Sequence, residues 1–448
     1  MAGGRRGKFF WVLLYNTPAH LVKRKGRSFS CLPFVAPWPF LTPIFASFRP
    51  LVAVYVLKLI IIPLLRGTDL WERYWVRLRT KRIIWALALF LLAGLLWRPW
   101  AANRETPPLP SEPPSSTPPP PPAEPLTLAA VGDVMLARKV DRLMQSQGLG
   151  YPLAELGPLL RSADLTFGNL ESPLSDTGKP IPGKGIWFRA RPEALQVLQQ
   201  GGFDILNIAN NHILDYDTPA FLQTMELLDK AGIRYFGGGQ NIQEARRPVL
   251  LEEKGIRLGF LGYSDMADIF WSYDYPRSFK ATADRPGIAP LEIEAMCQDV
   301  ELLKAQTDIA VVSLHWGTEY QRRPSSEQRQ IAHRLVEAGA DIILGHHPHV
   351  FQGIEVYKGS IILYSLGNFI MDQNWSRETC EGLLVMLTLT QAGWQQAEIL
   401  PVQIVEEQPQ RATGTRAGKI LAELRDLSRD LDTAVEISGN RAIVHQQP

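Results

Sequence analysis

The chain has 448 residues, room for one large domain with appendages, and only three cysteines, Cys31, Cys297 and Cys380, too few for a disulfide framework and without metal-type spacing. The net charge of +2 is unevenly split: residues 1–100 hold 16 Lys and Arg against 2 Asp and Glu, so the remaining 348 residues carry −12. An acidic body excludes nucleic acid as its partner, whereas a basic head suits an anionic membrane surface, where each Lys or Arg contributes about 1 kcal/mol.

The head, residues 1–82, contains an apolar run at 51–65 (LVAVYVLKLIIIPLL) that is interrupted by Lys58 and Pro63. A charge at a bilayer centre costs roughly 3 kcal/mol, which favours an amphipathic or interfacial helix over the alternative of a second span, which would return the body to the head's side. Residues 83–97 (IIWALALFLLAGLLW) carry no charge and continue to Trp100, predicting a transmembrane helix over 83–102. RLRTKR at 77–82 precedes this span, which orients the head to the cytoplasm and all that follows to the outside of the cell membrane. Residues 103–125 are a Pro-rich linker, extended at about 3.1 Å per residue. On the outside, Cys297 and Cys380 can pair with each other.

From Leu126 the pattern becomes α/β. LTLAAV (126–131), ADLTF (163–167), FDILNIA (203–209), RLGFLGY (257–263), DIAVVSL (308–314), ADIILG (340–345) and SIILYSL (360–366) read as buried strands. Helical spacing falls between them at 191–200, 218–231, 292–305 and 325–338, which predicts a domain built on a central sheet, extending to about 407. Residues 383–405 read as further strands. The segment 408–448 is a C-terminal extension with an amphipathic helix at 415–431.

Polar residues suited to metal binding recur just after these strands, where α/β sheets bind ligands. They are Asp133 in VGDVML, Glu171 in FGNLESP, Asn211 and His212 in ANNHILD, His315 and Glu319 in SLHWGTEY, His346, His347 and His349 in GHHPHV, and Asn368 in SLGNF. A glutamate or asparagine at one loop is ordinarily solvated or capping. Three histidines within four residues differ, because each buried ring nitrogen needs a partner. His333 lies inside an amphipathic helix and reads as structural. Histidine, carboxylate and amide donors without thiolate suit Mn²⁺, Zn²⁺ or Fe.

These motifs, in this order over residues 126–372, resemble the bacterial capsule-synthesis protein CapA family, associated with poly-γ-glutamate synthesis or export. The family's domain is similar to the calcineurin-like metallophosphoesterases. The resemblance implies a layered α/β sandwich holding one or two divalent ions, with metal ligands Asp133, Glu171, Asn211, His315, His347 and His349. Glu171 would bridge the ions and His212 would act as an acid near the leaving oxygen; Glu319 is a further catalytic candidate. The sequence departs from the phosphoesterase Asp-x-His start, having Met135 in the histidine's place, a poor ligand that leaves one ion short. The spare His346 is the residue that can shift the pairing.

The function expected is that of a membrane-anchored, metal-dependent hydrolase, cleaving a phosphoester or an amide, in making, releasing or exporting an anionic polymer such as poly-γ-glutamate. Arg322, Arg323 and Arg329 are candidates for a basic patch facing that polymer, and polymer synthase or export subunits are the expected partners. The alternative is a non-catalytic metal-binding subunit of the same assembly.

Overall fold

The computed structural model describes residues 124–446, so the basic head, the expected span and most of the linker lie outside the described residues. Among the described residues no helix is long and apolar enough to cross a membrane. The first apolar runs become β1 (Leu126–Val134), β2 (Leu165–Leu170), β3 (Ile205–Asn207) and β4 (Arg234–Phe236), four parallel neighbours. The chain then builds a second sheet from β5 (Val249–Glu253), β6 (Ile256–Ser264), β7 (Ile309–His315), β8 (Ile342–His346), β9 (Ile354–Tyr357) and β10 (Ser360–Leu363). Their order in space is β9-β10-β8-β7-β6-β5. Finally it returns to the first sheet with β11 (Asn368–Ile370), β12 (Glu381–Thr390), β13 (Gly393–Val405), β14 (Gln408–Arg411), β15 (Glu436–Ser438) and β16 (Arg441–His445). That ten-stranded sheet runs β15-β16-β13-β12-β1-β2-β3-β4, with β11 on β1 and β14 on β13.

Alternation along each strand decides the layers. From β1, Leu128 and Ala130 join Phe167, Phe260, Val311 and Leu344 in a core between the two sheets. The opposite row, Ala129 and Val131, packs on helices α1 (Arg138–Gln147), α2 (Leu195–Gly201) and α3 (Asp217–Ala231). On the far side, Leu261, Val312 and Ile343 pack under α4 (Ile293–Lys304) and α5 (Ser326–Glu337). The layered α/β architecture expected from the resemblance is present, and where strand alternation pointed to a central sheet the structure has two large sheets, stacked face to face between helices. Buried strands look alike in sequence whether the second face meets a helix or another sheet.

Local rules account for the element ends. Ser325 accepts from the Gln328 backbone at 3.1 Å while the Gln328 side chain accepts from Ser325 N–H at 3.0 Å, so α5 starts on a capping box. The amphipathic stretch near the carboxyl end forms α6 (Gly414–Arg429), which buries Ile420, Leu421 and Leu424 in the inter-sheet core. Cys297 and Cys380 are both free, so the disulfide open to them is not formed.

One irregularity positions the site. Ala130 faces Phe167 and Asp133 faces Asn169, so three steps along β1 match two along β2. This bulge turns Asp133 into the row that already points between the sheets. Gly132 sits within it, where a Cβ would lie 1.9 Å from the Gly367 carbonyl. Only glycine admits that approach, and it lets Asp133 N–H donate to Gly367 at 3.0 Å.

Candidate metal centre

The strand ends of both sheets converge at this bulge. Asp133 ends β1, Glu171 follows β2, Asn211 follows β3, His315 closes β7, and His347 and His349 follow β8. Asp133, Glu171, His315, His347 and His349 are at most 1% exposed, and Asn211 is buried as well. His347 and His349 take φ of +96° and +58°, conformations that cost non-glycine residues about 1–3 kcal/mol and persist where the surroundings enforce them.

A set that joins the exposed Glu319 to His347 and His349 converges within 4.8 Å, and so do two fully buried sets: Glu171, His315 and His347, and Asp133, Glu171 and His349. Glu171 belongs to both buried sets. Asn211 Oδ1 stands 2.9 Å from His315 Nε2, which brings the amide to the set of Glu171, His315 and His347. Asp133 Oδ2, both carboxylate oxygens of Glu171 and His347 Nδ1 are buried without a hydrogen-bond partner. Orphaned oxygens and a ring nitrogen in one buried spot are costly unless a cation satisfies them, so the residues present fit a divalent metal site.

The electrostatics agree in direction. Burial pushes His315 well below its ordinary range and His347 down to about 3, so both rings are neutral with lone pairs available. Burial, reinforced by the Asp133 charge, raises Glu171 well above the carboxylate range. Burial would raise Asp133 too, but the His346 and His349 rings outweigh it and hold that carboxyl well below its usual value. For His349, burial would lower the ring, yet Glu171 and Asp133 outweigh it and lift His349 to about 9.

Supporting residues fix these groups. Asn169 Nδ2 donates to Asp133 Oδ1 at 2.9 Å and lies 3.2 Å from His315 Nδ1, tying the two sheets together. Asn368 Oδ1 meets His349 Nδ1 at 3.0 Å and leaves Nε2 turned towards Glu171, 3.9 Å away. Asn169 stood in the GNLESP motif as a polar residue within an apolar strand, a signal the sequence reading passed over.

His212 sits beside Asn211, its Nδ1 2.6 Å from Asp215 Oδ2 and its ring stacked on Phe188 at 3.8 Å between centroids. Lys184 bonds to Asp215 and to the Asn211 carbonyl and lies 3.1 Å from His212 Nδ1. Burial, with Lys184 adding to it against Asp215, lowers His212 to about 4. Nδ1 is thereby committed to Asp215 and Lys184, which leaves Nε2 as the ring atom without a protein partner here. Nothing in the sequence marked Lys184, which reaches the site from a loop far from the motifs.

Other expectations fall elsewhere. Met135 joins the apolar cluster against the helices, its Sδ accepting from Ala137 N–H at 3.1 Å. His346 stands 3.4 Å from Asp133 Oδ1, fully buried and 5.7 Å from the Phe167 ring, but belongs to no ligand set. Glu319 is exposed, though one of its oxygens converges with nitrogens of His347 and His349. His333 pairs with Glu355 at 3.0 Å and stacks on Tyr357, away from the centre. The basic patch is not free: Arg322 pairs with Glu381, Arg323 with Asp430 and Arg329 with Glu355.

Known proteins share much of this sequence. A capsule biosynthesis protein CapA of Bacillus anthracis is 34% identical over 297 residues, covering 65% of this chain and 70% of that protein. A PGA biosynthesis protein CapA of Bacillus subtilis (strain 168) is 33% identical over 312 residues, covering 69% and 77% respectively. Among solved structures, TT1561 of Thermus thermophilus aligns over 60% of this chain and 100% of its own, at 10% identity and a TM-score of 0.32. Residues 127–373, which carry every ligand candidate above, match the model of the bacterial capsule synthesis protein family PGA_cap, and the chain belongs to that family.

Proposed function

We propose that this chain is a membrane-anchored, metal-dependent hydrolase that acts outside the cytoplasmic membrane in the synthesis, release or export of an anionic capsule polymer such as poly-γ-glutamate. The observation that carries the chemistry is the buried Glu171, both of its oxygens unpartnered, shared by two sets of ligand atoms. The capsule and PGA biosynthesis roles in the names of the two Bacillus relatives support the polymer class. Divalent Mn, Zn or Fe suits the donors, and one or two such ions would be held by Asp133, Glu171, Asn211, His315, His347 and His349.

A bound ion supplies Lewis acidity towards a phosphoryl or carbonyl oxygen and makes water acidic near pH 7. His212, its ring plane fixed by Asp215 and Phe188, would stand beside the ion to pass a proton through Nε2 to the leaving oxygen. Lys184, between Asp215 and the Asn211 carbonyl, holds the loop that carries both Asn211 and His212. The paired state of Arg322, Arg323 and Arg329 leaves the ion as the main attraction for a polyanion in an acidic body.

The test incubates purified, Mn²⁺-loaded full-length protein with poly-γ-glutamate and, separately, with a generic phosphodiester. Chain shortening or phosphodiester turnover, abolished by chelation, is the expected result. A stoichiometrically loaded protein that cleaves neither would overturn the hydrolase reading in favour of the non-catalytic metal-binding subunit.

The topology follows from RLRTKR preceding the apolar run at 83–97. Protease added to intact, wall-stripped cells should release a soluble fragment beginning beyond about residue 103, since positive charge stays inside. Protection until lysis would place the body on the cytoplasmic side.

A further inference from the structure

We infer that Glu319 is a metal ligand, closing the centre from the solvent side beside His347 and His349, one histidine from each buried set. The inference rests on the metal-centre reading above and goes beyond it by filling a specific gap. The set of Glu171, His315 and His347 has Asn211 as a fourth donor beside it. The set of Asp133, Glu171 and His349 has three, which leaves a position open to water, substrate or a further side chain.

The two residues that the sequence offered for the fourth position do not fill it. Met135 is packed in the apolar cluster, its sulfur engaged by Ala137 N–H. His346 lies deep between the sheets against Phe167 and is in no converging group. Glu319 is placed differently. One of its oxygens, one nitrogen of His347 and one of His349 all lie within 4.8 Å of one another, close to the span of about 4 Å that opposite ligands of one ion subtend.

An exposed glutamate is ordinarily only solvated. Here the partner side points to a ligand independently, because His347 is 1% exposed and its Nδ1 has no hydrogen-bond partner. The backbone also brings Glu319 to this place. Trp316 N–H donates to the His346 carbonyl at 3.1 Å and Tyr320 N–H to the Pro348 carbonyl at 2.8 Å, fastening the loop onto the histidine turn. Tyr320 holds φ of +64°, so three strained non-glycine residues, Tyr320, His347 and His349, flank the same opening. Of the three carboxylates that converge with His349, Asp133 and Glu171 are buried and Glu319 faces water.

The experiment titrates Mn²⁺ into metal-stripped full-length protein by calorimetry, with the spin coupling of a Mn²⁺ pair as a second readout. Wild type should bind two ions. E319Q should keep the first and lose affinity for the second by at least about tenfold, with the pair signal lost, the scale seen when groups around a metal are removed. E319D should restore the second ion in part, and E327Q, an exposed glutamate in α5, should behave as wild type. Two ions of unchanged affinity in E319Q, or a single ion in both wild type and E319Q, would overturn the role of Glu319 while leaving the metal centre standing. A wild type that binds no Mn²⁺ would overturn both.

Discussion

Replacing His315 or His347 with Ala is expected to remove most bound metal while leaving the fold in place. Each ring is fully buried at a strand end, and each belongs to the Glu171 set in which ligand atoms converge. Loss of a direct ligand should weaken binding by more than the roughly 10–100-fold typical of groups that only orient ligands. The fold should tolerate His347→Ala best, because His347 Nδ1 has no hydrogen-bond partner to lose, whereas His315→Ala also gives up contacts to Asn169 and Asn211. His333→Ala is the control: its ring is spent on Glu355 and Tyr357 in the packing of α5. Metal content per chain, measured alongside thermal unfolding, decides the matter. Equal metal loss in all three variants would show that the histidines act through the fold and not as ligands.

Metal affinity should rise with pH well above neutrality. The sign follows from the charge states of the apo cluster. His349 is held at about 9 by Glu171 and Asp133 against burial, so at pH 7 it carries a proton that a ligand must give up. His315 and His347, lowered by burial, are already neutral and release none. Between pH 7 and about 9 affinity should therefore increase up to about tenfold per pH unit for each proton expelled. Mn²⁺ titrations in buffers of different ionisation enthalpy count those protons directly. Affinity that is flat over this window, with no proton release, would mean that His349 is neutral in the folded apo protein and that its carboxylate neighbours do not govern it.

Much of this protein was legible in the amino-acid order. Runs such as DIAVVSL and SIILYSL have the length and apolar continuity of buried strands, and their structured counterparts β7 and β10 differ only at the ends. The helices at 218–231, 292–305 and 325–338 were set by 3.6-residue spacing, and α5 also by a capping box. The ligand candidates were visible because Asp, Glu, Asn and His are out of place immediately after apolar strands, and GHHPH is too dense in histidine for ordinary packing. Short pieces such as β4, β11 and β14, of three or four residues each, carried no periodicity to read.

What the sequence determined alone is what depends on neighbours along the chain: strand and helix segments, and the polar residues terminating them. What tertiary structure decided depends on groups far apart. Two sheets rather than one follow from which face of β1 meets Phe260 and which meets α1. A bulge past Ala130 turns Asp133 inwards, while Met135 packs in the apolar cluster against the helices. Lys184 reaches Asp215 and Asn211 across a loop, and Asn169 spans from Asp133 to His315 in the other sheet. Those contacts are set by sheet stacking and loop closure, in which burial of side chains far apart in the chain outweighs local preference.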